Sequence, residues 1–166
     1  MLKIVKYPNK ILRKRSRKVK NFLSSEIQQF IRELKETMMS EDGIGLAANQ
    51  VDKDLRILAV RTDEGPMAFI NPVIYYKSFA RDLAEEGCLS FPDIFGIIRR
   101  SKSIRLFYRD EQGRFRHLKA QGLLARVLQH EIDHLRGVLF IDKMVKYTNG
   151  QDLILKMREQ ASVDEI

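Results

Sequence analysis

Gly122-Leu123-Leu124-Ala125-Arg126-Val127-Leu128-Gln129-His130-Glu131-Ile132-Asp133-His134, followed by Leu135-Arg136-Gly137, is the stretch on which the fold turns. Leu124, Leu128, Ile132 and Leu135 recur at helical spacing and form an apolar stripe. Leu123, Val127, His130 and His134 form a second stripe beside it. The pattern predicts an amphipathic helix whose two histidines border the apolar face and point inward. Gly137 is the expected C-terminal stop, because glycine adopts the left-handed conformation without Cβ strain. Residues four apart lie one turn above one another, so both imidazoles can reach one metal ion. Glu131 projects from the same side, able to move a proton on water at such an ion without being a ligand.

Working outward, the chain of 166 residues is long enough for one domain with a sizeable core. It is 44% hydrophobic and 31% charged, with no low-complexity tract or internal repeat. No apolar run is long enough to span a bilayer, and the start, Met1 to Pro8, lacks the apolar core of a signal peptide. The single Cys88 cannot form an internal disulfide, which agrees with a reducing compartment. A cytoplasmic protein with no membrane partner is therefore the expectation.

The net charge of +8 is a local feature. Nine of the 30 Lys and Arg residues precede the first acid, Glu26, and the 21 that follow face 22 acids. This N-terminal run reads first as a solvated segment. Its functional reading is attraction to RNA or to an anionic assembly such as the ribosome. Tyr7 is the only aromatic residue in the run, which weakens a case for base stacking there.

Ser25-Glu26-Ile27-Gln28 fits a capping box with Ser25 as N-cap, and Ile27, Phe30, Ile31, Leu34 and Met38 follow at helical spacing, predicting a helix over Ser25 to Met39. A glycine-bearing loop, Asp42-Gly43-Ile44-Gly45, comes next. Leu55–Arg61 and Met67–Tyr76 read as strands joined by a turn at Asp63–Pro66, with Pro72 marking an edge or a bend. Ser103–Arg109 and Arg114–Lys119 read as a hairpin around Asp110–Gly113. A last amphipathic helix is expected over Gln151–Gln160. No Pro- or Ser-rich linker divides the chain. The expected architecture is a single domain, residues 1–166, of the α+β class. It has small mixed or antiparallel sheets around a central helix bearing the motif, an N-terminal helix and a C-terminal helix.

Two histidines leave a metal site incomplete, since catalytic zinc-type sites have three protein ligands. A third histidine six residues after His134 would extend the motif, but that position is Phe140. Glu159 is a candidate acid in a helical setting after the motif. Cys88 is the better candidate, in Glu85-Glu86-Gly87-Cys88-Leu89-Ser90-Phe91-Pro92, where Gly87 and Pro92 imply a constrained loop or strand end. A thiolate binds iron(II), zinc or cobalt strongly and partly neutralises the ion. The alternative for a lone cysteine is a small buried hydrophobe.

Three separated segments together carry a specific resemblance. Gly43-Ile44-Gly45-Leu46-Ala47-Ala48-Asn49-Gln50, Glu86-Gly87-Cys88-Leu89-Ser90 and Gln129-His130-Glu131-Ile132-Asp133-His134 match, in order and spacing, the three motifs of the bacterial-type peptide deformylases. The resemblance runs over nearly the full chain. It implies hydrolytic removal of the formyl group from N-formylmethionine on newly made polypeptides, with release of formate. It also implies Fe2+ held by Cys88, His130 and His134, with Zn2+, Ni2+ or Co2+ as substitutes in purified protein.

On that reading, Glu131 takes a proton from water and returns it to the leaving amine. The Gln50 side-chain amide and the Leu89 backbone N–H donate to the formyl oxygen as charge develops there. Gly45 lets the substrate backbone run alongside as an added strand, and Ile44, Leu123 and Val127 are either core residues or the methionine pocket. Formylated nascent peptides are the expected partners. The basic N-terminus and the C-terminal helix are candidate ribosome contacts, with no sequence-specific nucleic acid. Asn49 and Arg136 depart from the family's commonest residues outside the ligand set. The loop Asp93-Ile94-Phe95-Gly96 is apolar where some members carry a peptide-steadying arginine. His117 reads as a surface or satisfied histidine. Two other classes stay open: an HExxH peptidase using Glu159, and a non-catalytic RNA- or ribosome-binding protein.

Overall fold

The computed structural model describes residues 1–163, with side chains to residue 158; the side chain of Glu159 lies outside what is described. The elements in chain order are α1 (Ser25–Ser40), β1 (Gly45–Ala47), β2 (Ile57–Thr62), β3 (Gly65–Lys77), β4 (Arg81–Cys88), β5 (Phe91–Ser101), β6 (Ser103–Arg109), β7 (Phe115–Gln121), α2 (Gly122–His134), β8 (Met144–Asn149) and α3 (Gln151–Val163). They form a five-stranded sheet in the order β1-β2-β3-β6-β7 and a three-stranded sheet in the order β4-β5-β8. Every pairing is antiparallel. The fold is thus α+β, and no described helix is long and apolar enough to cross a membrane.

At β2 the five-stranded sheet is covered on both faces, and that is why the strand's first four residues, Ile57-Leu58-Ala59-Val60, are all apolar. Successive side chains point to opposite faces. Ile57 and Ala59 join Phe30, Ile31, Leu34 and Met38 of α1 in one core, while Leu58 and Val60 join Leu128, Ile132 and Leu135 from the α2 side in another. A fully buried Leu, Ile, Met or Phe contributes about 1.5–3 kcal/mol, so this pair of layers fixes where α2 lies. A third core of Leu12, Phe91, Ile94, Ile98, Phe140 and Ile154 joins the small sheet to the N-terminal segment and α3.

Several expectations are corrected in detail. The cap of α1 is Ser24, whose side chain accepts from the Ile27 amide. The Gln28 amide instead donates to the Phe22 and Glu111 carbonyls, so Ser25 and Gln28 do not form a capping box. Pro72 marks a bend rather than an edge: β3 lies between β2 and β6, and the register shifts between Ile70 and Val73. Asp93–Gly96 is not a loop but part of β5, with Phe95 opposite Asn149 of β8. The strands β1, β4, β5 and β8 were not foreseen as strands, because none shows a clean alternation in sequence. Gly137 ends the motif helix as expected, at φ +74°. The Gly137 amide bonds the His134 carbonyl and the Val138 amide bonds that of Asp133. A Cβ at Gly137 would also stand 2.2 Å from the Arg13 carbonyl oxygen.

Candidate metal centre and active site

The two histidines are buried near the end of α2, and the end of β4 brings Cys88 to them. The potential ligand atoms of Cys88, His130 and His134 all lie within 4.8 Å of one another, with Cys88 Sγ 3.2 Å from His134 Nε2. His130 Nδ1 bonds Glu86 Oε2 at 2.9 Å, which fixes the tautomer and leaves Nε2 free to ligate. One thiol and two imidazoles suit a divalent transition metal. Burial disfavours charge on both rings, yet at His130 the hydrogen bonds to Cys88 and Glu86 outweigh it and raise the pKa. At His134, burial and the neighbouring positive charge lower it well below the usual value.

Glu131 sits beside the ligands, 4% exposed, and its Oε2 has no hydrogen-bond partner among the described residues. Burial pushes this carboxyl up to about 7, against the opposing effect of His130. Space for it comes from Gly45, where a Cβ would lie 2.5 Å from Glu131 Oε1 and 2.8 Å from Val127 Cγ1. Gly45 was expected to serve the substrate's backbone; the structure adds that it makes room for Glu131.

Gln50 is held by both ends of its amide. Its Oε1 accepts from the Ala47 amide at 2.8 Å, which turns Nε2 toward Cys88 Sγ at 3.4 Å and Ser90 Oγ at 3.3 Å. Leu89 follows Cys88 in the turn between β4 and β5, and its carbonyl accepts from Lys6 Nζ at 2.6 Å. Together these groups open onto a cavity of about 490 Å³ lined by Ile44, Gly45, Gln50, Cys88, Leu89, Leu123, Val127, His130 and Glu131. Phe95 borders it, its ring packed where a Cβ of Gly87 would stand.

A buried charge cluster supports the ligands, and sequence reasoning assigned it no role. Arg100 donates Nε and Nη2 to the two oxygens of Glu86, both at 2.9 Å, and Nη1 to Asp133. Arg126 Nη1 reaches Glu86 at 2.7 Å, and Lys143 reaches Asp133 at 2.6 Å. Burial alone would raise the Glu86 pKa, but the bonds from Arg100 and His130 hold it far below the usual carboxylate range. Asn49 donates to the His134 carbonyl at 2.7 Å, tying the first motif to the end of α2. Glu86, Asn49 and Asp133 lie inside the quoted motifs; Arg100 and Arg126 do not, and only the fold brings them there. His117, exposed on β7, bonds the Tyr75 hydroxyl and lies far from these ligands in sequence and sheet position.

The chain is similar to known proteins over most of its length. The profile of the polypeptide deformylase family matches residues 1–150. The peptide deformylase 1 of Bacillus anthracis is 40% identical over 155 residues, covering 92% of this chain and 98% of its own. The crystal structure of peptide deformylase from Thermotoga maritima superposes with a TM-score of 0.84 at 42% identity, over 87% of this chain and 97% of that one. That of the Synechococcus elongatus enzyme in complex with actinonin gives 0.83 at 38% identity, over 86% and 78%. The chain belongs to the polypeptide deformylase family, metal-dependent hydrolases that remove the N-formyl group from nascent peptides.

Proposed function

We propose that residues 1–166 act as one catalytic unit in which Cys88, His130 and His134 hold ferrous iron and Glu131 carries the proton. The observation that carries this reading is the convergence of one thiol and two imidazoles beside a buried carboxylate whose Oε2 has no partner. The chemistry an ion supplies there is Lewis acidity, which makes water a nucleophile near neutral pH. Glu131 accepts a proton from the attacking water and delivers it to the amine nitrogen as the C–N bond of the formamide breaks. The products are formate and the free N-terminal amine. Gln50 Nε2 and the Leu89 N–H donate to the formyl oxygen; a donor of this kind is worth about two to three decades in rate. Ile44 and Leu123, both exposed into the cavity, and Val127 beneath them receive the methionine side chain. β1 is the outer strand of its sheet, and at Gly45 a peptide backbone can join that edge.

The family resemblance points to iron, and a thiolate on ferrous iron makes Cys88 the expected site of oxidative inactivation. The setting is cytoplasmic, where the lone thiol stays reduced. Ribosome contact through the basic N-terminus or the C-terminal helix brings the enzyme to its substrates.

The test is an anaerobic assay of formate release from a formyl-methionyl dipeptide, with metal analysis of the same sample. Glu131→Gln is expected to keep its metal and lose about 10²- to 10⁴-fold in turnover. No formate from metal-loaded protein, or full turnover in Glu131→Gln, would sink the reading.

A further inference from the structure

α1 covers only half of its side of the five-stranded sheet. It packs on β2 and the start of β3 through Ile57, Ala59, Ala68 and Ile70. The other half, made by the end of β3 with β6 and β7, carries a row of aromatic rings. Tyr75 and Phe107 stack with centroids 4.4 Å apart and planes 19° apart, and Phe107 and Phe115 stack at 5.2 Å and 27°. His117 lies against the first two rings. Phe115, on the outer strand β7, is 63% exposed and Tyr75 46%. An aromatic patch left in water on this scale marks an interaction surface.

Three cations, Arg105, Arg109 and Lys119, share this face; Lys77 and Arg116 pair with Ile104 and Tyr108 of the α2-side core on the opposite face. β6 and β7 themselves hold no Asp or Glu, and the nearest carboxylates, Asp110 and Glu111 in their turn, are engaged by Arg114, Arg116 and Lys35. Arg105 and Lys119 are cross-strand partners beside the row, and the Arg105 guanidinium lies 5.3 Å from the centre of the Tyr76 ring. Arg109 stands over Phe22 at 4.9 Å. The basic N-terminal run borders the same area: Val19, between exposed Lys18 and Lys20, exchanges hydrogen bonds with Asn71 at the bend of β3. The aromatic residues missing from that run in sequence are supplied here by three strands.

Rings for bases beside cations for phosphates are what a sequence-tolerant single-strand surface requires. We propose that this face binds single-stranded RNA, with bases continuing the ring row from Phe115 and phosphates meeting Arg105, Arg109 and Lys119. A second copy of the chain fits less well. A two-fold contact through this face would bring Arg105 and Lys119 against their own like charges.

The test is the fluorescence anisotropy of a short labelled single-stranded RNA titrated with the full chain. Phe115→Ala is expected to weaken binding about tenfold, and Phe115→Leu, which keeps the apolar bulk, to weaken it similarly. Raising salt from about 50 to 200 mM should weaken wild-type binding roughly twentyfold, given three phosphates at a slope of about −0.7 each. Formate release from a formyl-methionyl dipeptide should not change in either variant. The proposal is overturned if the folded Phe115 variants bind like wild type or if duplex RNA competes as well as single strands. It is also overturned if no RNA binds at low salt, or if Phe115→Ala instead dissolves a dimer seen by sedimentation.

Discussion

Glu86 and Asp110 each hold two arginines, yet the two clusters do different work. Glu86 binds Arg100 and Arg126 at 2.9 and 2.7 Å; Asp110 binds Arg114 and Arg116, both at 2.8 Å. The distances barely differ. The surroundings do: the side chains of Glu86, Arg100 and Arg126 are at most 10% exposed, whereas Arg114 and Arg116 are 59% and 44% exposed. Water screens the Asp110 cluster at the turn of the β6–β7 hairpin. At the junction of β4 and α2 no such screening exists, and each charge relies on its neighbours. Ion-pair geometry alone therefore says little about energy; burial sets it.

The largest expected effect breaks the buried cluster. Glu86→Gln removes the anion that holds Arg100 and Arg126, leaving two buried cations short of charge. Breaking such a cluster costs about 3–5 kcal/mol. The same change weakens the hydrogen bond that orients His130, and loss of a partner behind a metal ligand costs about 10- to 100-fold in metal affinity. Denaturant unfolding reads the first and chelator competition the second. A cost below about 1 kcal/mol would place Glu86 with Asp110 and dissolve the distinction.

Glu131 sharpens the comparison, because it is buried like Glu86 but lacks a cation on Oε2. Its position depends on space rather than on charge. Gly45→Ala puts a methyl group 2.5 Å from Glu131 Oε1. Overpacking of this kind costs about 1–3 kcal/mol, and a displacement of about 1 Å at the reacting group costs on the order of 10²-fold in rate. The expected result is a folded, metal-loaded protein with turnover down about a hundredfold. Unchanged kcat with a raised KM would mean that Gly45 serves the peptide alone.

What the sequence made legible follows the same division between local and distant causes. The helix Gly122–His134 and its stop at Gly137 were readable because periodicity and a left-handed glycine are local signals. His130 and His134 were readable from their spacing, whereas Cys88 came in only as the missing third ligand and through the three-motif resemblance. The Glu86 cluster was not. Arg100 and Arg126 look like any surface arginine until β4, β5 and α2 pack together, and their burial is a property of that packing. The strands β4 and β5 were obscured for a related reason. Each mixes charged and apolar residues, since the charges of Glu86 and Arg100 point inward, against the usual alternation. The aromatic row fell outside the sequence reading too, because Tyr75, Phe107 and Phe115 come from three different strands.

The smallest expected effect tests the exposed member of the pair. Asp110→Asn keeps an oxygen to accept from the Gln112 and Arg114 backbone amides and removes the charge together with the oxygen that accepts from the Arg114 and Arg116 side chains. Screened by water, that charge is worth about 0.2–1 kcal/mol. Its pH dependence follows from the Asp110 pKa, which is lowered because hydrogen bonds from Arg116 and Arg114 outweigh the effect of burial. A carboxylate whose pKa is depressed by folding stabilises the fold above its unfolded pKa and loses that contribution as pH falls through the folded one. The stability gap between wild type and Asp110→Asn should thus be constant above about pH 4 and close toward pH 2. Chemical unfolding at several pH values in that window measures it. A gap that survives at pH 2 would assign the effect to the turn's hydrogen bonds, and one above about 2 kcal/mol would show that exposed arginines can hold a carboxylate as firmly as buried ones.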